Sequence, residues 1–198
     1  GTKYRDGKVT IETLNQYQVM YFVEMDIVEI TGTFIEADKK VAVFCGDWFA
    51  GIPLGGTADH VLEQVLPVEN MGTAFPLVPA PHRLKGEYYR IVSSADGNTI
   101  SITGQTPVTL NAGEFMEHNL PVNTYRVLTS TAGVNVYHFA KSWSHYDGAP
   151  EGGDPSMTYI PPVQQWMSQH LYSAMQCDSE TGTFVHSAAI IIDKDYVS

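Results

Sequence analysis

Apolar residues in this chain fall into short runs rich in Val, Ile, Thr, Phe and Tyr, and these runs are separated by Gly, Pro, Asn and Asp. Apolar positions at helical spacing are nearly absent, so the pattern predicts an all-β protein. Strands are expected over residues 8–14, 18–23, 32–36, 40–45, 75–78, 88–93 and 99–103. The later half adds 108–110, 114–118, 124–130, 134–139, 157–160, 170–175 and 184–192. Between two of these runs, Ala95-Asp96-Gly97-Asn98 sets Asp-Gly where a tight hairpin requires positive φ.

The strands come in two rounds. Thr13-Leu14-Asn15 is matched by Thr109-Leu110-Asn111, and Val41-Ala42-Val43-Phe44 by Val134-Asn135-Val136-Tyr137. Further on, Asp59 is matched by Asp154, Val65 by Ile160 and Pro67-Val68 by Pro162-Val163. Ordered matches at one nearly constant shift of about 95 residues predict an internal duplication. The expected fold is therefore two tandem related β-sandwich units, 1–104 and 105–198, standing as separate sandwiches or packed as one composite domain. The second copy stops before an equivalent of the Asp-Gly turn.

Composition narrows the function. The chain has 198 residues, of which 43% are hydrophobic and 17% charged, which is the make-up of a folded protein. Asp and Glu number 22 against 11 Lys and Arg, and a net charge of -11 repels phosphate backbones, so no nucleic-acid partner is expected. The longest apolar runs are strand-sized, so no membrane insertion is expected either. Gly1-Thr2-Lys3-Tyr4 shows neither a basic nor an apolar leader. Cys45 and Cys177 lack metal-ligand spacing, which leaves one disulfide or two thiols; in a secreted protein they would tie the first copy to the second. Neither a nucleophile elbow nor a phosphate loop nor a zinc-protease helix motif occurs, and no enzyme is expected.

Several segments carry a family resemblance. They are Ile35-Glu36-Ala37-Asp38-Lys39-Lys40-Val41-Ala42-Val43-Phe44-Cys45-Gly46 and Ala58-Asp59-His60-Val61-Leu62-Glu63-Gln64-Val65-Leu66-Pro67. Tyr89-Arg90-Ile91-Val92-Ser93-Ser94-Ala95-Asp96-Gly97-Asn98-Thr99, Leu110-Asn111-Ala112-Gly113-Glu114 and Gly153-Asp154-Pro155 complete the set. Together they resemble the N-terminal domain family of the IgG Fc-binding protein, a module of secreted mucus and adhesive proteins often found beside von Willebrand factor D domains. The resemblance implies an extracellular, non-catalytic binding or adhesion module of a larger multidomain protein. It does not carry over immunoglobulin binding, because no contacting set maps onto these residues. One departure stands out: family members commonly place a cysteine just before the Asp-His pair, and here Ala58 occupies that position.

Candidate binding residues lie in two long glycine-rich, aromatic loops at matched positions, 47–57 and 142–153. Trp48 and Phe49 in the first, with Trp143, His145 and Tyr146 in the second, offer large rigid contact area to a protein or glycoprotein partner, self-association included. The plainer alternative has these aromatics folding back to cap an open sandwich end, which is what loop aromatics most often do. Asp47, Asp59, Asp147 and Asp154 sit in or beside the same loops and are weak Ca²⁺ candidates without any EF-hand spacing; Asp59 and Asp154 are better read as turn caps. No cofactor other than Ca²⁺ is suggested. His60 and Glu63, three apart on a strand, would point to opposite faces. The alternative function is a structural spacer or self-assembly unit, with a calcium-dependent lectin-like domain a distant third.

Overall fold

The computed structural model describes residues 7–23, 29–53, 57–80, 83, 85–142, 154–173 and 189–192. The chain divides into two compact units, Gly1–Ile30 and Thr31–Ser198. Among the described residues the second unit carries nine strands: β1 Val43–Gly51, β2 Ala58–Val65, β3 Gly72–Leu77, β4 Glu87–Ser93, β5 Asn98–Ile102, β6 Val108–Leu110, β7 Phe115–Leu120, β8 Arg126–Ala140 and β9 Ser156–Tyr159. Two short 3-10 turns, Val68–Asn70 and Val163–Gln165, also lie among the described residues. The all-β expectation holds, and no described helix is long and apolar enough to cross a membrane.

β1 and β2 form a two-stranded sheet, and the other seven strands form one sheet centred on β8. β8 is long because it serves two neighbourhoods. Its first part pairs with β5 on one edge and β3 on the other, through Leu128 opposite Ile102 and Phe75. Its second part pairs with β4 on the first edge and β9 on the other, through Tyr137 opposite Arg90 and Tyr159. β6 and β7 extend the β5 and β4 edges in turn. The sheet thus has two four-stranded halves, β6-β5-β8-β3 and β7-β4-β8-β9, joined by one continuous strand. Inward residues of both halves, among them Phe75, Leu77, Tyr89, Ile91, Ile100, Leu120, Leu128 and Val136, form a single buried cluster. A sheet can only do this by folding over on itself, with strands crossing the corner as they do in orthogonal packings.

Three chain segments cross that corner side by side. Ser94 donates to the Gly133 carbonyl through both its amide (3.1 Å) and its hydroxyl (2.7 Å). Ser93 and the Asn111–Glu114 turn exchange backbone hydrogen bonds of 2.9 Å in both directions. Gly97 and Gly113 both adopt positive φ, +65° and +79°, which glycine reaches without steric cost. Asn98 sits buried at the centre of the seam, bonded to Ser93, Thr131, Ala132 and Gly133.

Several sequence expectations change here. The Asp96-Gly97 turn has the predicted φ but is no hairpin: β4 and β5 do not pair with each other, and both run along the same edge of β8. The runs 124–130 and 134–139 are one strand, because Ala132-Gly133 lets the chain bend without leaving the ladder. The first five residues of the loop expected at 47–57 are strand, since β1 continues to Gly51. Residues 8–14, 18–23 and 32–36 form none of the described strands, and Val9, Ile11, Val19, Tyr21 and Phe34 are exposed. Strand propensity in sequence reports the capacity to join a ladder, not ladder formation itself. Residues 170–173 and 189–192 likewise form no strand, while 174–175 and 184–188 lie outside the described residues.

Strands from either side of Gly104 share the seven-stranded sheet and its core. Within Gly1–Ile30, the Asn15–Gln18 turn is closed by the Gln18 amide donating to the Asn15 carbonyl at 3.0 Å.

On β7, the Nε2 of His118 is buried and has no hydrogen-bond partner. Burial, and secondarily the Arg126 charge, push its pKa below the ordinary 6.5. The folded state therefore binds this proton less readily than the unfolded state, and stability is lost as pH falls below about 6.5. Relative to His118→Gln, the wild-type melting temperature is expected to fall progressively as pH drops from about 7 to about 5. A pH-independent difference between the two proteins would count against this assignment.

Candidate protein-contact surface

The β1–β2 hairpin carries the aromatic residues that the sequence singled out. Its register pairs Val43 with Val65, Cys45 with Glu63 and Asp47 with Val61, then resumes at Ala50 with Asp59. Trp48 and Phe49 thus face a single residue, His60, across the ladder, which makes a β-bulge. The bulge re-aims both rings outward, and Trp48 is 84% and Phe49 68% exposed. Their centroids lie 6.1 Å apart at 43°. Asp47 Oδ1 accepts the Phe49 amide at 2.8 Å and fixes the local turn. Gly46 is required upstream, because a Cβ there would overlap the Val61 carbonyl. These aromatics do not cap a core; they project from the tip of a hairpin.

The opposite face of the hairpin is anchored. Val61 is buried, and β2 lies against β9. Burial pushes the Tyr137 hydroxyl well above its ordinary pKa, with Cys45, Tyr159 and Glu63 adding to the effect. The Cys45 thiol is likewise raised by burial and then by Glu63. Cys45 is a free thiol, and Cys177, the partner the sequence suggested, lies outside the described residues.

Beyond the hairpin, Ile52 and Ser142 clasp each other. The Ile52 amide donates to Ser142 Oγ at 2.8 Å, and the Ser142 amide donates to the Ile52 carbonyl at 2.6 Å. Ser142 is fully buried and is the first residue of the second candidate loop. The first residue of the second loop therefore meets the middle of the first. Trp143, His145, Tyr146 and Asp147 lie outside the described residues.

Two of the three acidic candidates in the described region are engaged locally. Asp47 serves the Phe49 amide, and Asp59 Oδ1 accepts the His60 amide at 2.7 Å. Asp154 is exposed ahead of β9. Among the described residues, no group of three or more His, Cys, Asp or Glu side chains is arranged to hold a metal. His60 is exposed and Glu63 half-buried on β2, the opposite-face placement that strand geometry gives.

A second polar cluster escaped the sequence reading. Glu87 is fully buried at the start of β4, in phase with core residues Tyr89 and Ile91. Its Oε2 lies 2.8 Å from His138 Nε2 on β8, and Oε1 lies 3.7 Å from Arg83 Nε. Arg83 Nη2 donates to the Lys141 carbonyl at 3.0 Å. Lys141 Nζ donates to Asn119 Oδ1 at 2.9 Å and to the Lys85 carbonyl, and sits over the Tyr88 ring. The visible signal was an acid at a core-facing strand position. With no nucleophile beside the pair, the cluster reads as a buried brace that fixes the chain entering Ser142.

A family model described as IgGFc binding protein matches residues 1–197. No curated protein and no solved structure matches the chain. The match spans essentially the whole sequence, including the hairpin and both corner turns, and the chain belongs to the IgGFc binding protein family.

Proposed function

We propose that the chain is a non-catalytic protein-binding module of a secreted, multidomain extracellular protein, and that the tip of the β1–β2 hairpin is its principal contact. The observation that carries this reading is the bulge at Trp48 and Phe49, which holds two adjacent, largely exposed rings in one orientation. Preorganised aromatics of this kind dominate binding energy because little side-chain entropy is lost on contact. The family is not known as enzymatic, its members are generally extracellular, and its name points to a protein ligand. The net charge of -11 favours a partner with basic or neutral surface over nucleic acid.

The test is binding of the isolated chain to immobilised immunoglobulin Fc and to purified mucin. Trp48→Ala with Phe49→Ala is expected to weaken whichever interaction is present by at least about tenfold while leaving the melting temperature unchanged, since both rings are exposed. Unaltered affinity in the double variant would overturn the assignment of this tip, and retention on neither surface would count against an Fc or mucin ligand.

A second reading, a self-assembly unit, is favoured by a separate observation: apolar side chains stand exposed both ahead of β1 and after the second 3-10 turn.

A further inference from the structure

The tip of the β1–β2 hairpin gathers charge of one sign around its aromatic rings. The two strands contain Asp47, Asp59 and Glu63 but neither lysine nor arginine. Glu63 is half-buried opposite Cys45, away from the bulge. Asp47 immediately precedes Trp48, and Asp59 faces Ala50 across the ladder, one position beyond Phe49. Two exposed carboxylates therefore bracket two exposed rings. Each carboxylate spends one oxygen on a neighbouring amide, Asp47 on Phe49 at 2.8 Å and Asp59 on His60 at 2.7 Å, and these bonds hold it beside the rings.

Elsewhere the fold shows what a ring and a carboxylate at this spacing take. The Arg90 guanidinium lies over the Phe115 ring, 4.7 Å from its centroid. Its Nε and Nη2 both donate to Glu117 Oε1, at 3.2 and 2.7 Å. Phe115 and Glu117 stand two residues apart on β7, as Asp47 and Phe49 do on β1. The face of the ring attracts the positive charge while the carboxylate accepts its N–H groups, so one planar cation satisfies both.

We infer that the Trp48–Phe49 tip recognises an arginine side chain presented by its protein partner, stacked on the rings and ion-paired with the flanking Asp47 and Asp59. Arginine suits the site better than lysine, because a guanidinium is flat and weakly hydrated and can stack and pair at once. The net charge of -11 steers such a partner toward the chain. This inference deepens the proposed function and rests on its assignment of the tip as the contact.

The probe is a capped Gly-Arg-Gly-Arg-Gly peptide titrated into the intact, isotope-labelled chain and followed by the Trp48 indole N–H resonance. Saturable shifts confined to the hairpin are expected, with a Kd on the order of 1 mM. The citrulline counterpart keeps the planar shape without the charge and should bind at least about tenfold more weakly. Asp47→Asn with Asp59→Asn keeps both Oδ1 acceptors, and with them the bulge, but removes both charges. It should weaken the arginine peptide at least about fivefold at an unchanged melting temperature. Equal binding of the citrulline peptide, unaltered affinity in the Asn double variant, or an unmoved Trp48 indole would each overturn the inference. The arginine assignment alone falls if the peptide leaves Trp48 unmoved while Trp48→Ala with Phe49→Ala still loses Fc or mucin binding. The tip assignment falls, and the inference with it, if that aromatic double variant keeps its affinity for Fc or mucin.

Discussion

Asn98→Ala is expected to destabilise the folded domain by about 3 kcal/mol, lowering the melting temperature by about 10 °C. The side chain is 1% exposed and ties β5 to Ser93 of β4 and to the Thr131–Gly133 stretch of β8 at the sheet corner. Its Nδ2 donates to Ser93 Oγ at 3.0 Å and to the Ala132 and Gly133 carbonyls at 3.2 and 3.4 Å. Its Oδ1 accepts the Ala132 amide at 2.9 Å and the Thr131 hydroxyl at 3.2 Å. Truncation leaves the Ala132 amide and the Ser93 hydroxyl without these partners inside the protein, and each orphaned buried group costs about 1–3 kcal/mol. Asn98→Asp should do no better. It keeps the shape but turns two donors into an acceptor facing two carbonyls, and it places a charge where water does not reach. Calorimetric unfolding of both variants checks the expectation; a loss below about 1 kcal/mol in each would mean that the corner is held by the backbone alone.

The corner also shows what the sequence could and could not convey. Positive φ at Gly97 was legible, because Asp-Gly has few other uses, whereas the positive φ at Gly113 was not read from the sequence. Which strands those turns join was not legible. That depends on β8 running along both β4 and β5, a pairing between residues some 30 to 50 apart in the chain that no local pattern encodes. The strand at Val108–Leu110 matches its expected bounds because turns flank it on both sides. β1 was cut short because Gly46 and the run of aromatics look like loop composition, whereas in the ladder Gly46 is the close-approach residue and Trp48-Phe49 the bulge.

The candidate site was partly legible for a related reason. Aromatic residues in a polar, glycine-rich setting mark Trp48 and Phe49 as candidate contacts, but not whether they cap a core or stand free; their exposure comes from the fold. The Ile52–Ser142 clasp could not be read, since its partners are 90 residues apart. Asp59 was expected to cap a turn ahead of a strand; it lies inside β2 and still bonds an adjacent amide. The segments before Val43 that form none of the described strands still have strand composition, because composition reports the capacity to join a ladder.

The second large effect is expected at the buried Glu87–His138 pair. His138→Leu should cost about 3 kcal/mol, because it removes the 2.8 Å hydrogen bond to a carboxylate that no water reaches. Arg83, at 3.7 Å, is too distant to replace it with a hydrogen bond. Glu87→Leu alone should also destabilise, by stranding the His138 imidazole and the Arg83 guanidinium beside an apolar side chain. Glu87→Leu combined with His138→Leu should cost clearly less than the two single losses added together, since replacing a buried pair by apolar groups removes the need that each partner created. Strict additivity in chemical denaturation would show that the two groups do not act as a unit. The consequence reaches the contact surface through Arg83, which holds the Lys141 carbonyl, and through Ser142, which clasps Ile52. In His138→Leu the Ile52 amide should therefore exchange with solvent faster than the β8 core amides of Val134 and Val136, because the root of the hairpin loosens before the sheet opens.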